Sequence, residues 1–151
     1  MKYHIATAGL LMVALASTAM AQSPGGDSAT RLQGVWRMTS LEQGTPGSDL
    51  SAVDFTGQIV FTDNGVVAVQ AMKTSGDDPG NPYAVNGYEA YYGAYDVAAD
   101  GTVVTFDVQS SVVRDLIGRK LERAIEVTDD RLVITPTSKD ENWRVTYERQ
   151  D

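Results

Sequence analysis

The residues of this sequence best suited to ligand chemistry are tyrosines, and several of them lie close together between Tyr83 and Tyr95. A tyrosine offers an apolar ring and one hydroxyl group, which suits a flat or hydroxylated ligand. We therefore predict that Tyr88, Tyr91 and Tyr95 line a binding pocket. Ordinary core packing and a catalytic phenol are the two alternatives.

Arg123 is the second candidate and the strongest single one, because it interrupts an apolar strand face. Residues 119–127 alternate between a polar face and a face that holds Leu121, Arg123, Ile125 and Val127. An inward guanidinium needs an anionic or hydrogen-bonding partner. That partner is a ligand carboxylate, a tyrosine hydroxyl or Glu42, so Arg123 is either a ligand anchor or half of a fixed ion pair.

The remaining ligand-binding candidates are Phe106 and Tyr147, which fall on inward faces of later strands. The same alternation directs Asp107 to solvent. The predicted ligand-binding set is thus Arg123, Tyr88, Tyr91, Tyr95, Phe106 and Tyr147.

The first residues resemble a cleaved export signal. Lys2 precedes a small, apolar run from Ala6 to Ser17, and Ala19-Met20-Ala21 forms an A-x-A cleavage site. The run is shorter than the roughly 20 residues that cross a bilayer. We expect residues 1–21 to be the signal peptide, cut after Ala21, which makes the protein periplasmic or secreted with no membrane span.

Loss of that segment removes the only histidine, His4, and the chain has no cysteine. Disulfides, Cys- or His-ligated zinc and Ser-His-Asp or Cys-His catalysis are therefore excluded. The net charge, −8 for the full chain, repels phosphate backbones. We predict no cofactor, no metal and no nucleic-acid partner.

The remainder of the chain, beyond the signal, is one domain of about 130 residues. Residues 22–31 are rich in Gly, Pro and Ser and are expected to be a disordered leader, and residues 32–151 form the folded domain. Asn81-Pro82 predicts a short helix to about Ala90. Eight strands are predicted: one opening at Gly34, then 57–62, 66–72, 91–97, 102–109, 119–127, 131–135 and 142–149.

Short strands separated by turn residues favour a sandwich or a barrel. The first strand begins with Gly34-Val35-Trp36-Arg37, and an indole there can seal one end of a barrel. Arg149, on the last strand, is placed to stack on Trp36 through a cation–π contact. Barrel closure is the predicted role of this pair.

The chain resembles the lipocalin-like domain family of small bacterial and fungal proteins. The resemblance rests on Gly34 to Arg37, Ile59 to Gly65, Tyr88 to Tyr95, Gly118 to Arg123, Asp130 to Leu132 and Glu148-Arg149. It implies a lipocalin-type barrel and little agreed activity. Ala94 departs from the Thr that is frequent in the family, and Phe106-Asp107 replaces a pair of histidines.

The fold class predicted is all-β, an eight-stranded and mostly antiparallel lipocalin-like barrel with one short helix. We expect it to bind a small hydrophobic or aromatic molecule. The alternatives are a cofactor-free isomerase or cyclase that uses Tyr and Arg, and an interaction module with a filled barrel. The ligand, any reaction and the oligomeric state stay open.

Overall fold

A computed structural model describes residues 24–75 and 81–151 of the chain. One helix precedes nine strands: α1 (Pro24–Leu32), β1 (Gly34–Gln43), β2 (Ser51–Val53), β3 (Phe55–Phe61), β4 (Val66–Lys73), β5 (Tyr88–Val97), β6 (Val103–Ser111), β7 (Lys120–Val127), β8 (Arg131–Pro136) and β9 (Trp143–Gln150). A 3₁₀ turn, Arg114–Leu116, lies between β6 and β7. The signal segment and its predicted cleavage site lie outside the described residues.

Eight of these strands close a barrel. Each of β3 to β8 pairs with the next strand in an antiparallel ladder, β1 pairs with β3, and β1 also pairs with β9. The remaining strand, β2, extends the sheet at the far end of β1. The predicted all-β, antiparallel, eight-stranded barrel is confirmed, and the short β2 is an addition to the prediction.

Tight turns set the register of the barrel. Asn64-Gly65 connects β3 to β4, and Gly65 has a φ of 83°, which a glycine adopts without strain. In most of the barrel strands, residues facing the interior alternate with more exposed ones, as in Val103–Ser111, where Val104, Phe106 and Val108 are buried. This alternation buries one face of the barrel strands around a common core.

The helix lies at a different place from the one expected. Asn81–Ala90 is not helical: Asn86 and Gly87 have φ values of 52° and 73°, and a bridge joins Val85 to Tyr88 across them. Two successive positive φ values define a tight hairpin turn, which an Asn-Gly pair favours. Asn81 Oδ1 accepts a hydrogen bond from the backbone N–H of Tyr83 at 2.9 Å, so it stabilises a turn.

The observed helix is α1, in the segment expected to be a disordered leader. Leu32 at its end is fully buried, and Gly25 donates a backbone hydrogen bond to the carbonyl of Ala99 at 3.1 Å. The backbone approaches so closely there that a Cβ on Gly25 would overlap the carbonyl oxygen of Ala98. Helix α1 is therefore held against the barrel. The Gly-, Pro- and Ser-rich composition of this segment gave no indication of that contact.

A β-bulge in β1 changes which side chains face inward. The β1–β9 register shifts between Met38 and Ser40, so the inward face passes from Met38 to Leu41, which is buried. Glu42 consequently points outward, where its carboxylate accepts a hydrogen bond from Arg144 Nε at 2.7 Å. Glu42 is thus not the partner of Arg123, because one extra residue inverts the alternation beyond it.

In the part of the chain described, no helix is both long enough and apolar enough to cross a membrane.

Candidate functional site

One end of the barrel is closed around Trp36. The indole is fully buried, its Nε1 donates a hydrogen bond to the carbonyl of Leu32 at 2.7 Å, and the Arg149 guanidinium lies 4.1 Å from its ring centroid. Arg149 also donates hydrogen bonds to the carbonyls of Arg31, Gln33 and Asp129. These contacts join α1, β1 and β9 and fix the base of the barrel.

The other half of the barrel contains a cavity of about 650 Å³. It opens between the loop after β1, the turn before β5 and the loop before β9. Most of its wall is apolar and comes from inward residues of several strands: Met38, Leu41, Phe55, Ile59, Val69, Ala71, Phe106, Ile134 and Val145. The cavity is therefore a mostly apolar space that lies above the packed base of the barrel.

A polar cluster occupies one side of this cavity, with Arg123 at its centre. The side chain is inward, and only 6% of the residue's surface is exposed. Its Nη1 lies 3.8 Å from Glu141 Oε1 and donates to the carbonyl of Glu122 at 3.0 Å. The guanidinium also lies over the rings of Tyr83 and Trp143, at 5.2 and 5.1 Å from their centroids.

Glu141 is the residue that connects this cluster. Its Oε2 accepts hydrogen bonds from the Tyr83 hydroxyl and from Trp143 Nε1, each at 2.8 Å. The following residue, Asn142, donates from its side-chain amide to the carbonyls of Thr45 and Ser48 at 2.9 Å. The loop before β9 is thus tied to the loop after β1, and Glu141 is held at the mouth of the cavity.

Glu89 is a second carboxyl group in the cavity wall. It comes from β5 opposite Ala71. Burial raises its pKa from 4.5 to about 7, and the opposing effect of the Arg123 charge is smaller. Within the described residues, the carboxyl group forms neither a hydrogen bond nor a salt bridge.

Two tyrosine hydroxyl groups complete the polar surface. Tyr91 and Tyr147 are buried side chains that line the cavity, and burial raises the pKa of each phenol well above its usual value. Both phenols therefore keep their protons over the ordinary pH range. Each can donate a hydrogen bond to a bound molecule.

Of the six predicted ligand-binding residues, the cavity brings together Arg123, Tyr91, Phe106 and Tyr147. Tyr88 lies outside, with 39% of its surface exposed, because its side chain is directed away from the cavity at the start of β5. Tyr95 is inward but lies toward the base, where its ring packs edge-on against Phe61 and its hydroxyl donates to the carbonyl of Thr62 at 2.9 Å. Neither Tyr88 nor Tyr95 lines the cavity.

Sequence reasoning missed Glu89, Glu141 and Trp143 as members of the site, and it counted Tyr83 in the tyrosine cluster without including it in the predicted ligand-binding set. The alternation of β5 carries a usable signal for Glu89, because it lies two residues before Tyr91 on the same strand face. Glu141 and Tyr83 lie in connecting segments, where no periodicity assigns a direction. Over residues 24–75 and 81–151, no group of three or more His, Cys, Asp or Glu side chains is placed to hold a metal ion.

Residues 33–150 match the family described as lipocalin-like domain. The chain belongs to this family. The match spans all eight strands of the barrel, so the resemblance seen in the sequence is confirmed. No curated protein matches the chain.

Solved structures with similar barrels agree with this assignment of the fold. A lipocalin-like protein from Bacteroides uniformis superposes with a TM-score of 0.51 at 11% identity, over 80% of this chain and 99% of the other. A redesigned beta barrel gives 0.50 at 16% identity, over 89% and 100%. The protein EF1p2_mFAP2b, bound to DFHBI, gives 0.50 at 12% identity, over 83% and 99%. At these identities the likeness concerns the fold alone.

Proposed function

We propose that this lipocalin-like protein binds one small hydrophobic or aromatic molecule inside its barrel. The observation that carries the proposal is the cavity of about 650 Å³ above the Trp36 base, which falls within the roughly 300–1,000 Å³ of small-molecule sites. Its apolar wall supplies the hydrophobic driving force, and the few polar groups supply orientation. The similar barrel that holds DFHBI supports this use of the fold.

The cavity wall is divided in a way that suits an amphipathic ligand. The rings of Phe55 and Phe106 and the aliphatic side chains around them contact an apolar body. The Tyr91 and Tyr147 hydroxyl groups, Glu89 and the Arg123 cluster meet its polar end. A ligand that filled the apolar half would gain about 25 cal/mol for each Å² of apolar surface removed from water.

The test is a titration with Nile red, a neutral dye whose emission increases in apolar surroundings. Ala71→Phe places a ring in the cavity, whereas Ala68→Phe adds the same ring to the outward face of the same strand and serves as the matched control. We expect saturable binding to the unmodified protein and to Ala68→Phe, and at least about tenfold weaker binding to Ala71→Phe. Equal binding to the two variants, or no saturable binding to any form, would refute the proposal.

A cofactor-free isomerase is the second candidate, and the environment of Glu89 favours it. A carboxyl group with a pKa of about 7 is well matched to proton transfer near neutrality. The probe is 2-tetralone, whose protons beside the carbonyl exchange with D₂O. Exchange accelerated by the protein and lost in Glu89→Gln, with binding retained, would support this candidate, and exchange at the buffer rate would exclude it for this carbon acid.

We also propose that the protein is exported, on the basis of Lys2, the apolar run Ala6–Ser17 and the Ala19-Met20-Ala21 site. Expression of the full chain in a bacterial host and intact-mass analysis of the periplasmic fraction provide the test. A mature chain that begins at Gln22 is expected. A full-length chain confined to the cytoplasm would contradict export.

A further inference from the structure

The carboxyl group of Glu89 is the feature of the cavity that the binding of an apolar molecule leaves unexplained. It projects from the inward face of β5 into a mostly apolar wall. Among the described residues, no donor or cation is bonded to it. An ionised carboxylate in such surroundings is costly unless a partner of opposite charge or a hydrogen-bond donor joins it.

Arg123 does not fill that role, because its guanidinium is already engaged. Glu141 Oε1 lies 3.8 Å from Nη1, the Glu122 carbonyl accepts from the same nitrogen at 3.0 Å, and two aromatic rings cover the group. The charge of Arg123 acts on Glu89 only at a distance. The Arg123 guanidinium is thus paired with the carboxylate of Glu141 and is not available to neutralise Glu89.

The charges around the cavity are therefore unbalanced. Among the described residues, its wall holds three carboxyl groups, from Glu89, Asp140 and Glu141, against the single guanidinium of Arg123. The wall also contains aromatic rings, and the electron-rich face of such a ring attracts a cation that can reach it. The electrostatic character of the site thus favours a positively charged group over a negatively charged one.

We propose that the ligand carries a basic nitrogen and that this nitrogen binds as an ammonium group against Glu89, while the apolar body of the ligand fills the cavity. This proposal rests on the proposed function of the barrel. It adds the chemical class of the ligand: an amine attached to a hydrophobic or aromatic body. The hydroxyl groups of Tyr91 and Tyr147 can accept hydrogen bonds from the same ammonium.

The protonation of Glu89 links this binding to pH. Burial raises its pKa to about 7, and the smaller effect of Arg123 of β7 lowers it. The other titratable groups that interact across this region are Tyr91 of the same strand, Tyr147 of β9 and Tyr83 of the turn before β5. Glu141 contacts Arg123. Because the tyrosines stay neutral, Glu89 is the group that changes charge between about pH 5.5 and pH 8.

The experiment compares three probes that share one ring system: 2-naphthylmethylamine, 2-naphthylmethanol and 2-naphthylacetate. Their dissociation constants are measured by calorimetry at about pH 5.5 and pH 8.0. At the higher pH we expect the amine to bind at least about tenfold more tightly than the alcohol, the size of one charge-assisted hydrogen bond, and the acetate to bind most weakly. With a pKa of about 7, most of the carboxylate is protonated at pH 5.5, so a tenfold contribution from its charge should make amine affinity fall by at least about sevenfold between pH 8.0 and pH 5.5.

Glu89→Gln is the decisive variant, because it keeps the size and polarity of the side chain and removes its charge. We expect it to bind amine and alcohol equally and to lose the pH dependence. The matched control is Glu148→Gln, which removes one carboxylate from the exposed face of β9 and should retain both effects. If Glu89→Gln fails to fold, the amine-to-alcohol ratio and its pH dependence in the unmodified protein decide the question.

The two proposals fail in different ways. Binding of the alcohol as tightly as the amine at the higher pH, or an amine preference that persists in Glu89→Gln, would overturn the assignment of an amine ligand and leave the cavity as a binding site. Tighter binding of the acetate than of the amine would also overturn it and would identify Arg123 as the anchor. The Nile red titration tests the binding function itself, and its failure is therefore distinguishable from a failure of the amine assignment.

Discussion

Replacement of Glu89 by glutamine should stabilise the protein above about pH 4.5, by an amount that grows with pH until about pH 7. The pKa of Glu89 is raised by burial from 4.5 to about 7. Between these two values the folded protein holds a proton that the unfolded chain has released, so stability falls as the pH rises through this window. The shift corresponds to about 3 kcal/mol of unfolding free energy, lost in full above about pH 7.

Glu89→Gln removes this loss, because an amide does not ionise. Below about pH 4.5 the carboxyl group is protonated in both states, and the free energies of unfolding of the two proteins should be similar there. At about pH 8 we expect the variant to be more stable by about 3 kcal/mol. Urea unfolding followed by tryptophan fluorescence at several pH values measures the difference, and Glu148→Gln controls for the loss of one surface carboxylate.

The reasoning would be refuted by a difference between Glu89→Gln and the unmodified protein that is the same at acidic and at alkaline pH. Such a result would mean that water reaches the carboxylate freely in the folded state. It would also remove the physical basis for an ammonium ligand, because a well-hydrated carboxylate gains little from a new partner.

Two further predictions concern the frame of the barrel. Arg149→Met removes the guanidinium over the Trp36 indole and its hydrogen bonds to three carbonyl groups. Urea unfolding should show that the free energy of unfolding falls by at least about 2 kcal/mol. A loss below about 0.5 kcal/mol would show that α1 and β1 close the base without this side chain. Gly93→Ala places a Cβ where it overlaps the carbonyl oxygen of Asp107, so β5 and β6 must separate. The melting temperature should fall by several degrees, which corresponds to about 1–3 kcal/mol. An unchanged melting temperature would mean that the two strands are not in contact there.

The barrel itself was predictable because its information is local and repeated. Alternation placed Val104, Phe106 and Val108 inside, and Asn64-Gly65 marked a hairpin, because both signals depend only on neighbouring residues. The inward direction of Arg123 followed from the same rule. Closure of the first strand on the last required the family resemblance in addition, since no local pattern specifies a partner more than a hundred residues away.

The helix prediction failed because two local signals competed over residues 81–90. Asn81-Pro82 suggested a helix start, yet Asn86-Gly87 is the same pair of residue types that correctly marked the β3–β4 turn. The hairpin prevailed because it allows β5 to pair with β4 as far as Tyr88. The mistake hid Glu89, since a helical assignment gives no reason for that side chain to share a face with Tyr91.

The β1 bulge could not be predicted from composition, because nothing about Thr39 distinguishes it from its neighbours. Its consequence is large: it directs Leu41 inward and Glu42 to the surface. A bulge is decided by how two strands with different curvature meet. This information resides in the closed barrel rather than in either strand.

Each end of the barrel contains an inward arginine. From the sequence it was easier to locate the two ends than to predict what each end does, and these arginines show why. Arg149 and Arg123 occupy similar places in an alternating pattern, and each lies over aromatic rings. Arg149 donates to backbone carbonyls, which the fold fixes, whereas Arg123 faces a side-chain carboxylate at 3.8 Å. Side chains can change partner when a ligand enters and backbone carbonyls cannot, so the adaptable end of this barrel is the one that contains the cavity.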